Sequence, residues 1–179
     1  MSDKETETFE GTKACTKASL RKKTLVLACT FFIWLALDRA TKIYFDGIGN
    51  VVGSLISGPY AGLIQFRLVH NQGAAWGIFS DSTFFLGILS LVLCALIIVF
   101  IVHERHSLTC LDFCLLGLVL AGGIGNCIDR FVYGYVVDFI ETAFMDFPVF
   151  NIADVGVTCG VILFVVMYIV RAFKPDQEK

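Results

Sequence analysis

The chain has 179 residues, of which 56% are hydrophobic and 17% are charged, with a mean hydropathy of +0.76 and a formal net charge of −2. A soluble globular domain carries charge on about a quarter of its residues, so this composition excludes an ordinary soluble protein. The weakly acidic net charge gives no reason to expect a nucleic-acid partner.

The apolar residues fall into four blocks that follow a polar leader at 1–23. Each block approaches the length that an α-helix needs to cross about 30 Å of hydrocarbon. The blocks are 24–37, extended by 40–45, then 83–102, 108–128 and 155–170. We therefore predict an all-α membrane protein with four transmembrane helices in a single domain at 24–172. The leader is expected to be disordered and cytoplasmic, and 173–179 to form a cytoplasmic tail. The long polar leader also favours a retained anchor over a cleaved signal peptide.

Two longer segments separate the blocks. Residues 46–82 contain several glycines and one proline, and at 63–68 apolar and polar residues alternate. This alternation predicts strands in a small sheet at the membrane surface. Within the outer segment 129–153, residues 131–150 are rich in aromatic side chains and are expected to lie along the interface.

The distribution of Lys and Arg predicts the orientation. Segments 1–23, 103–107 and 171–179 hold six, one and three of these residues, whereas 38–82 and 129–153 hold three and one. The positive-inside rule then places both termini in the cytoplasm and both longer segments outside.

The seven cysteines lie in or beside the apolar blocks, apart from Cys15 in the leader. None falls in the predicted outer segments, so a disulfide framework is not indicated. Metal sites need tighter clusters of Cys or His, and we interpret these residues as small buried apolar side chains.

Polar residues collect at the outer ends of the predicted helices. A charged group in or near the apolar zone of a membrane has a cost in free energy, so its presence calls for a structural or functional explanation. Several share a helix face through i, i+3 or i, i+4 spacing, and Asp138 interrupts an apolar run between the third and fourth blocks. The set is Asp38, Lys42, Asn126, Asp129, Arg130, Asp138, Asn151 and Asp154. Helix capping by Asn151 or Asp154, and an ion pair between Asp129 and Arg130, are the ordinary structural explanations. Neither explanation accounts for Asp138.

Paired carboxylates are the chemistry that remains after other motifs are considered. The chain has no G-x-S-x-G serine elbow, and HERH at 103–106 lacks the spacing of a zincin motif. The glycines at 122–125 suit close helix packing better than dinucleotide binding. Two carboxyls in a low-dielectric site share a proton, and one can then act as a base on water while the other acts as an acid.

Five stretches in chain order resemble the signal peptidase II family of lipoprotein signal peptidases. They are DRATK at 38–42, NQGAAWG at 71–77, GGIGNCIDR at 122–130, VVDF at 136–139 and FPVFNIAD at 147–154. The resemblance implies an aspartic endopeptidase in the bacterial cytoplasmic membrane, with its site near the outer face. It also implies cleavage of diacylglyceryl-modified prolipoproteins before the lipid-modified cysteine, on a small sheet and a short helix that cradle the substrate.

By the same motifs, the catalytic pair is Asp138 and Asp154. Asp129 is the competing candidate, and we rank it lower because its neighbour Arg130 favours a salt bridge, and a salt-bridged acid is a poor partner for a shared proton. Asn126 and Asn151 match supporting positions near the scissile carbonyl. The matched positions with a substrate-binding or structural role are Asp38, Lys42, Asn71, Gly73, Asn126, Asp129, Arg130 and Asn151. No metal, nucleotide or organic cofactor is implied, and the expected partners are prolipoprotein signal peptides and membrane lipid, with the enzyme a monomer.

Two other classes of protein stay open from the residues alone. In a small transporter or proton-coupled channel, carboxylates line a pathway, but they usually lie near the middle of the bilayer rather than at one face. The other class is a non-catalytic scaffold or assembly factor.

Overall fold

The structure, a computed structural model, describes residues 3–49, 51–73 and 82–173. Within them four helices and three strands follow one another along the chain. They are α1 (Asp3–Ile48), β1 (Leu55–Tyr60), β2 (Ile64–Asn71), α2 (Thr83–Glu104), α3 (Cys110–Val132), β3 (Val136–Thr142) and α4 (Ile152–Ala172). All four helices are long and apolar enough to cross a membrane, with spans at Ser19–Ile48, Thr83–Glu104, Cys110–Val132 and Ile152–Arg171. The predicted fold class, four membrane helices with a small sheet, is confirmed.

Helix α3 lies at the centre of the bundle, and glycines on it allow its neighbours to approach closely. A Cβ at Gly122 would overlap the carbonyl oxygen of Ala153 on α4, and one at Gly123 would lie 2.7 Å from Sγ of Cys94 on α2. The interpretation of this glycine run as a packing surface is therefore right. The outward faces of α1, α2 and α4 expose large apolar side chains, as expected of helices that contact lipid.

Six of the seven cysteines, all except Cys15, have side chains that the structure describes, and these six are free thiols. The prediction that the cysteines are small buried side chains is right for Cys94 and Cys127. It is wrong for Cys29 and Cys159, which lie on exposed helix faces. A thiol is apolar enough to occupy a lipid-facing position, so burial in protein is not required of it.

The three strands form an antiparallel sheet in the order β1–β2–β3 at one end of the bundle. Strand β2 was expected from its alternation, whereas β3 lies in the outer segment 129–153, for which no strand was predicted. Residues 136–139 of β3 are all buried, so both faces of that strand are covered and its sequence does not alternate. The ring of Phe139 stacks on Phe45 of α1 at a centroid distance of 4.2 Å, which attaches the sheet to the helices.

Two further expectations differ from the structure. Helix α1 begins at Asp3 and so includes most of the leader that was predicted to be disordered. Adding residues to an existing helix is much easier than nucleating a new one, so a polar segment joined to a membrane helix can continue it. No short interfacial helix occurs among the described residues of the two outer segments. Residues 74–81 lie outside the described part of the chain.

Candidate active site

The first carboxyl of the predicted pair, Asp138, lies on β3 and is only 2% exposed. Its Oδ2 accepts a hydrogen bond from Nδ2 of Asn71 at 2.9 Å, and its Oδ1 accepts one from Nδ2 of Asn151 at 2.6 Å. The backbone amide of Gly73 donates to Oδ1 of Asn71 at 2.9 Å. This contact orients the Asn71 amide group so that its NH₂ faces Asp138.

The second carboxyl, Asp154, lies in the first turn of α4, where the helix start itself fixes the side chain. Asn151 is the N-cap, and it forms a reciprocal capping box with Asp154. Oδ2 of Asp154 accepts from the backbone amide of Asn151 at 3.1 Å, and Oδ1 accepts from Nδ2 of Asn126 at 2.7 Å. Capping was the structural alternative for these two residues. In this structure the cap residue is also part of the site.

A continuous chain of hydrogen bonds connects the two acids. Nδ2 of Asn151 donates to Asp138 and also to Oδ1 of Asn126 at 3.1 Å, while Asn126 donates to Asp154. The three asparagines therefore donate to both carboxyl oxygens of Asp138 and to Oδ1 of Asp154, while Oδ2 of Asp154 accepts from the backbone amide of the N-cap. Such a network holds both carboxyl groups in fixed orientations.

The electrostatic setting of Asp138 favours its protonated form. Burial raises the pKa of Asp138 to about 7, and the negative charge of Asp154 contributes in the same direction. The hydrogen bonds from Asn71 and Asn151 oppose this change in pKa only in part. Asp138 can therefore hold a proton near neutral pH.

A compact cluster of two acids and two bases lies behind the asparagine network. Asp38 and Asp129 are fully buried, and Lys42 Nζ contacts Oδ2 of Asp38 at 3.2 Å and Oδ2 of Asp129 at 2.8 Å. Arg39 pairs with the same two acids, at 3.0 Å and 2.6 Å respectively. The i, i+4 spacing of Asp38 and Lys42 indicated their contact correctly. We call these four residues the ion-pair cluster.

The predicted partner of Asp129 is wrong, because Asp129 pairs with Arg39 and Lys42 instead of Arg130. Arg130 follows Asp129 directly in the helix, so the two side chains point in different directions around its axis. Arg39 was not among the predicted site residues, although it lies in the DRATK stretch that carried the resemblance. The sequence did contain a clue to its role, because Arg39 is a second cation beside Asp38, in addition to Lys42.

The acids face a cavity of about 440 Å³ between β3, α3 and α4. Its polar lining comes from six of the predicted residues: Asn71, Gly73, Asn126, Arg130, Asp138 and Asp154. Its other walls are mainly apolar and consist of Val136, Phe147, Pro148, Val149, Phe150, Val155, Thr158 and Cys159. Nε of Arg130 is buried and has no hydrogen-bond partner among the described residues. The cavity can thus hold an apolar ligand and offers it an acid, a base and a free guanidinium donor.

The remaining predicted residues support the site from behind. Asp38, Lys42, Asp129 and Asn151 do not line the cavity. Lys42 reaches the network by donating to Oδ1 of Asn126 at 2.7 Å, and Asp38 does so by accepting from the backbone amide of Ala153 at 3.1 Å.

The fold and the site together define a multi-pass membrane protein in which strand β3 and helix α4 each bring one carboxyl group to a single cavity. The family model for signal peptidase (SPase) II matches residues 30–170. The chain therefore belongs to the signal peptidase II family, and it is a membrane peptidase of bacterial type, as the five stretches predicted.

Similar proteins cover most of the chain. The lipoprotein signal peptidase of Clostridium acetobutylicum is 35% identical over 82% of this chain and 95% of its own length. That of Staphylococcus carnosus is 36% identical over 79% of this chain and 91% of its own length. A solved bacterial membrane enzyme, determined by the in meso method at 2.3 Å resolution, superimposes with a TM-score of 0.76 at 29% identity, covering 86% and 93% of the two chains.

Proposed function

We propose that this protein is an intramembrane aspartic endopeptidase that removes the signal peptide from diacylglyceryl-modified prolipoproteins, cutting before the lipid-modified cysteine. The observation that carries the proposal is the pair Asp138 and Asp154, joined through asparagines and facing one largely apolar cavity. The names of the curated relatives support the substrate class.

In the proposed reaction, the two carboxyls share one proton and activate a water molecule. Asp154, as the carboxylate, removes a proton from the water, and the resulting hydroxide attacks the scissile carbonyl carbon. Asp138, as the acid, donates its proton to the carbonyl oxygen. The tetrahedral intermediate then collapses as Asp154 passes its proton to the departing amine, and Asp138 recovers its proton from the gem-diol hydroxyl. The enzyme ends with one shared proton, as it began, and no covalent intermediate forms.

The surrounding polar groups hold this pair rather than react. The asparagines donate hydrogen bonds that fix the carboxyl orientations, and the ion-pair cluster holds Asn126 through Lys42. The Nε of Arg130, buried beside the cavity, is a donor for a peptide carbonyl of the bound substrate. Donors that are already in place cost little reorganisation when the substrate binds.

The apolar walls of the cavity suit a lipid-bearing substrate. Thr158 and Cys159 are exposed and lie one turn or more beyond Asp154 along α4, so the cavity extends towards the hydrocarbon region. A substrate with a membrane-embedded signal helix and two acyl chains can therefore present its scissile bond without leaving the bilayer.

The substrate is tested by incubating purified enzyme in detergent with two versions of one lipoprotein precursor, with and without the diacylglyceryl group. The masses of the products identify the cleaved bond. We expect cleavage directly before the modified cysteine. It should be at least about tenfold faster than in the unmodified precursor, because burying the acyl chains of the diacylglyceryl group in the cavity adds more than about 1.4 kcal/mol to the binding free energy of the substrate. Equal rates on both precursors would contradict the proposed lipid requirement.

We further propose that both termini are cytoplasmic and that the site lies near the outer face, as the charge distribution indicates. Gln72 and Asp146 are exposed in the outer segments, so Gln72→Cys and Asp146→Cys should react with a membrane-impermeant maleimide added from outside. The native cysteines are removed first. The matched control is Ser107→Cys between α2 and α3, which should react only after the membrane is opened. The reverse pattern would overturn the orientation.

A further inference from the structure

The first turn of α4, which carries Asp154, is held by α1 at two points. Oδ1 of Asp38 accepts from the backbone amide of Ala153 at 3.1 Å, and Nε1 of Trp34 donates to the backbone carbonyl of Ile152, also at 3.1 Å. Trp34 and Asp38 are four residues apart and so lie on one face of α1. The two contacts therefore hold both polar ends of one peptide group of α4, the C=O of Ile152 and the N–H of Ala153, from one surface.

A glycine on α4 makes the Trp34 contact possible. Gly156 is buried, and a Cβ built on it would overlap Nε1 of Trp34 and lie 2.9 Å from its Cδ1. The indole edge thus occupies the space where any other residue would place a side chain. We call the hydrogen bond to Ile152 and this close approach to Gly156 the Trp34 contact.

We infer that Trp34 is a positioning residue, which sets the place of Asp154 relative to Asp138 through the first turn of α4. This inference rests on the proposed function. Trp34 is half-buried and does not line the cavity, so its effect on the reaction must pass through the backbone of α4.

The two acids need such a contact because they belong to separate elements. Asp138 is held by β3, which pairs with β2, whereas Asp154 moves with α4. The asparagine network connects the two acids through side chains, but from α1 the Asp38 contact alone is a single point of attachment on the backbone of the helix start. Trp34 adds a second point at the carbonyl end of the same peptide group, together with its close approach to Gly156 one turn further along the helix. Because a misplacement of about 1 Å can reduce catalysis by about 10²-fold, a second point of attachment has a measurable effect.

The first test is Trp34→Phe, which keeps an aromatic ring beside Gly156 but removes the N–H donor. We expect kcat for the lipid-modified precursor to fall about tenfold, and KM to stay within about twofold, because the substrate does not contact Trp34. Phe32→Leu, on the exposed face of the same helix, is the matched control and should leave both values unchanged. A normal kcat for Trp34→Phe would overturn the inference.

The second test is a double-mutant cycle between Trp34→Leu and Gly156→Ala. Alone, Gly156→Ala should lower kcat by about tenfold or more, since its methyl group displaces the indole and the helix start with it. In the Trp34→Leu background the same change should have less than about a twofold effect, because the smaller side chain leaves room for the methyl. Equal effects in both backgrounds would contradict a contact that acts on Asp154.

Thermal unfolding of each variant, and the activity of Asp154→Asn, separate the possible failures. If Trp34→Leu does not fold, the cycle is repeated with Trp34→Phe, whose planar ring is smaller than indole and should relieve part of the Gly156→Ala defect. If Asp154→Asn retains activity, the proposed function fails. If Asp154→Asn is inactive while Trp34→Phe is normal, only the positioning role fails.

Discussion

Asp138→Asn and Asp154→Asn are each expected to abolish cleavage of a diacylglyceryl-modified precursor, with kcat reduced by about 10²–10⁴-fold or more. Asparagine matches the size of aspartate but cannot carry the exchangeable proton that the proposed pair shares. At position 138 it must also meet two amide donors, from Asn71 and Asn151, so one of the three amide groups has to rotate. Thermal stability is therefore measured on the same preparations.

The double variant should be hardly less active than either single variant, because the two carboxyls act as one unit. If the two carboxyls contributed independently, the reductions in kcat of the single variants would multiply in the double variant. Asn71→Asp is not a suitable control, since it adds a charge to the site. Glu141→Gln is better matched, because Glu141 is also on β3 but pairs with Arg67 on the sheet, away from the cavity. It should leave kcat unchanged. Near-normal turnover by either Asp138→Asn or Asp154→Asn would contradict the proposed pair.

Asp129→Asn is expected to lower the free energy of unfolding by about 3–5 kcal/mol, the usual result of breaking a buried ion pair from one side. Asp129 is fully buried and is paired with Arg39 at 2.6 Å and Lys42 at 2.8 Å. Without its charge, the ion-pair cluster keeps two cations and one anion in a poorly solvated position. Lys42 also donates to Asn126, so the disturbance reaches the asparagine network around Asp138 and Asp154 indirectly.

Some turnover should survive in Asp129→Asn under conditions where the protein stays folded. Unfolding in a denaturing detergent titration gives the stability, and cleavage of the lipid-modified precursor gives the activity. Glu141→Gln is again the matched control, with an effect of at most about 1 kcal/mol because its ion pair with Arg67 is partly exposed. An Asp129→Asn protein of unchanged stability and no activity would point to Asp129 as a catalytic residue.

The four helices could be predicted from the sequence because each must present about 20 apolar residues to hydrocarbon, which leaves a strong signal in composition. Strand β2 could be predicted from its alternation. Strand β3 could not, since sequence periodicity reports a difference between two faces and both faces of β3 are covered. The helical start of α1 was missed because the polar composition of the leader shows only that this segment cannot form a hydrophobic core. A segment that continues an existing membrane helix does not need such a core.

The proximity of the candidate site residues could be predicted from the sequence, but the pairing of the charged groups among them could not. Position in the chain indicated that Asp138, Asp154 and the asparagines gather at one end of the bundle. Which cation neutralises Asp129 depends on how α1 packs against α3, and spacing along one helix cannot reveal it. Trp34 was missed for a similar reason: in sequence it is one more apolar residue of a membrane helix. Its role becomes visible only with the Ile152 carbonyl and Gly156 beside it.

The shared proton of Asp138 and Asp154 is tested most directly by infrared spectroscopy of the purified enzyme, in which a protonated carboxyl gives a C=O stretching band distinct from that of a carboxylate. Because burial and the charge of Asp154 raise the pKa of Asp138 to about 7, we predict such a band at pH 6 that is lost as the pH rises through about 7. Proton loss should be accompanied by a parallel fall in kcat. The band should be absent from Asp138→Asn and present in Asp129→Asn. A band that persists in Asp138→Asn, or that is missing from the wild type at pH 6, would contradict the account.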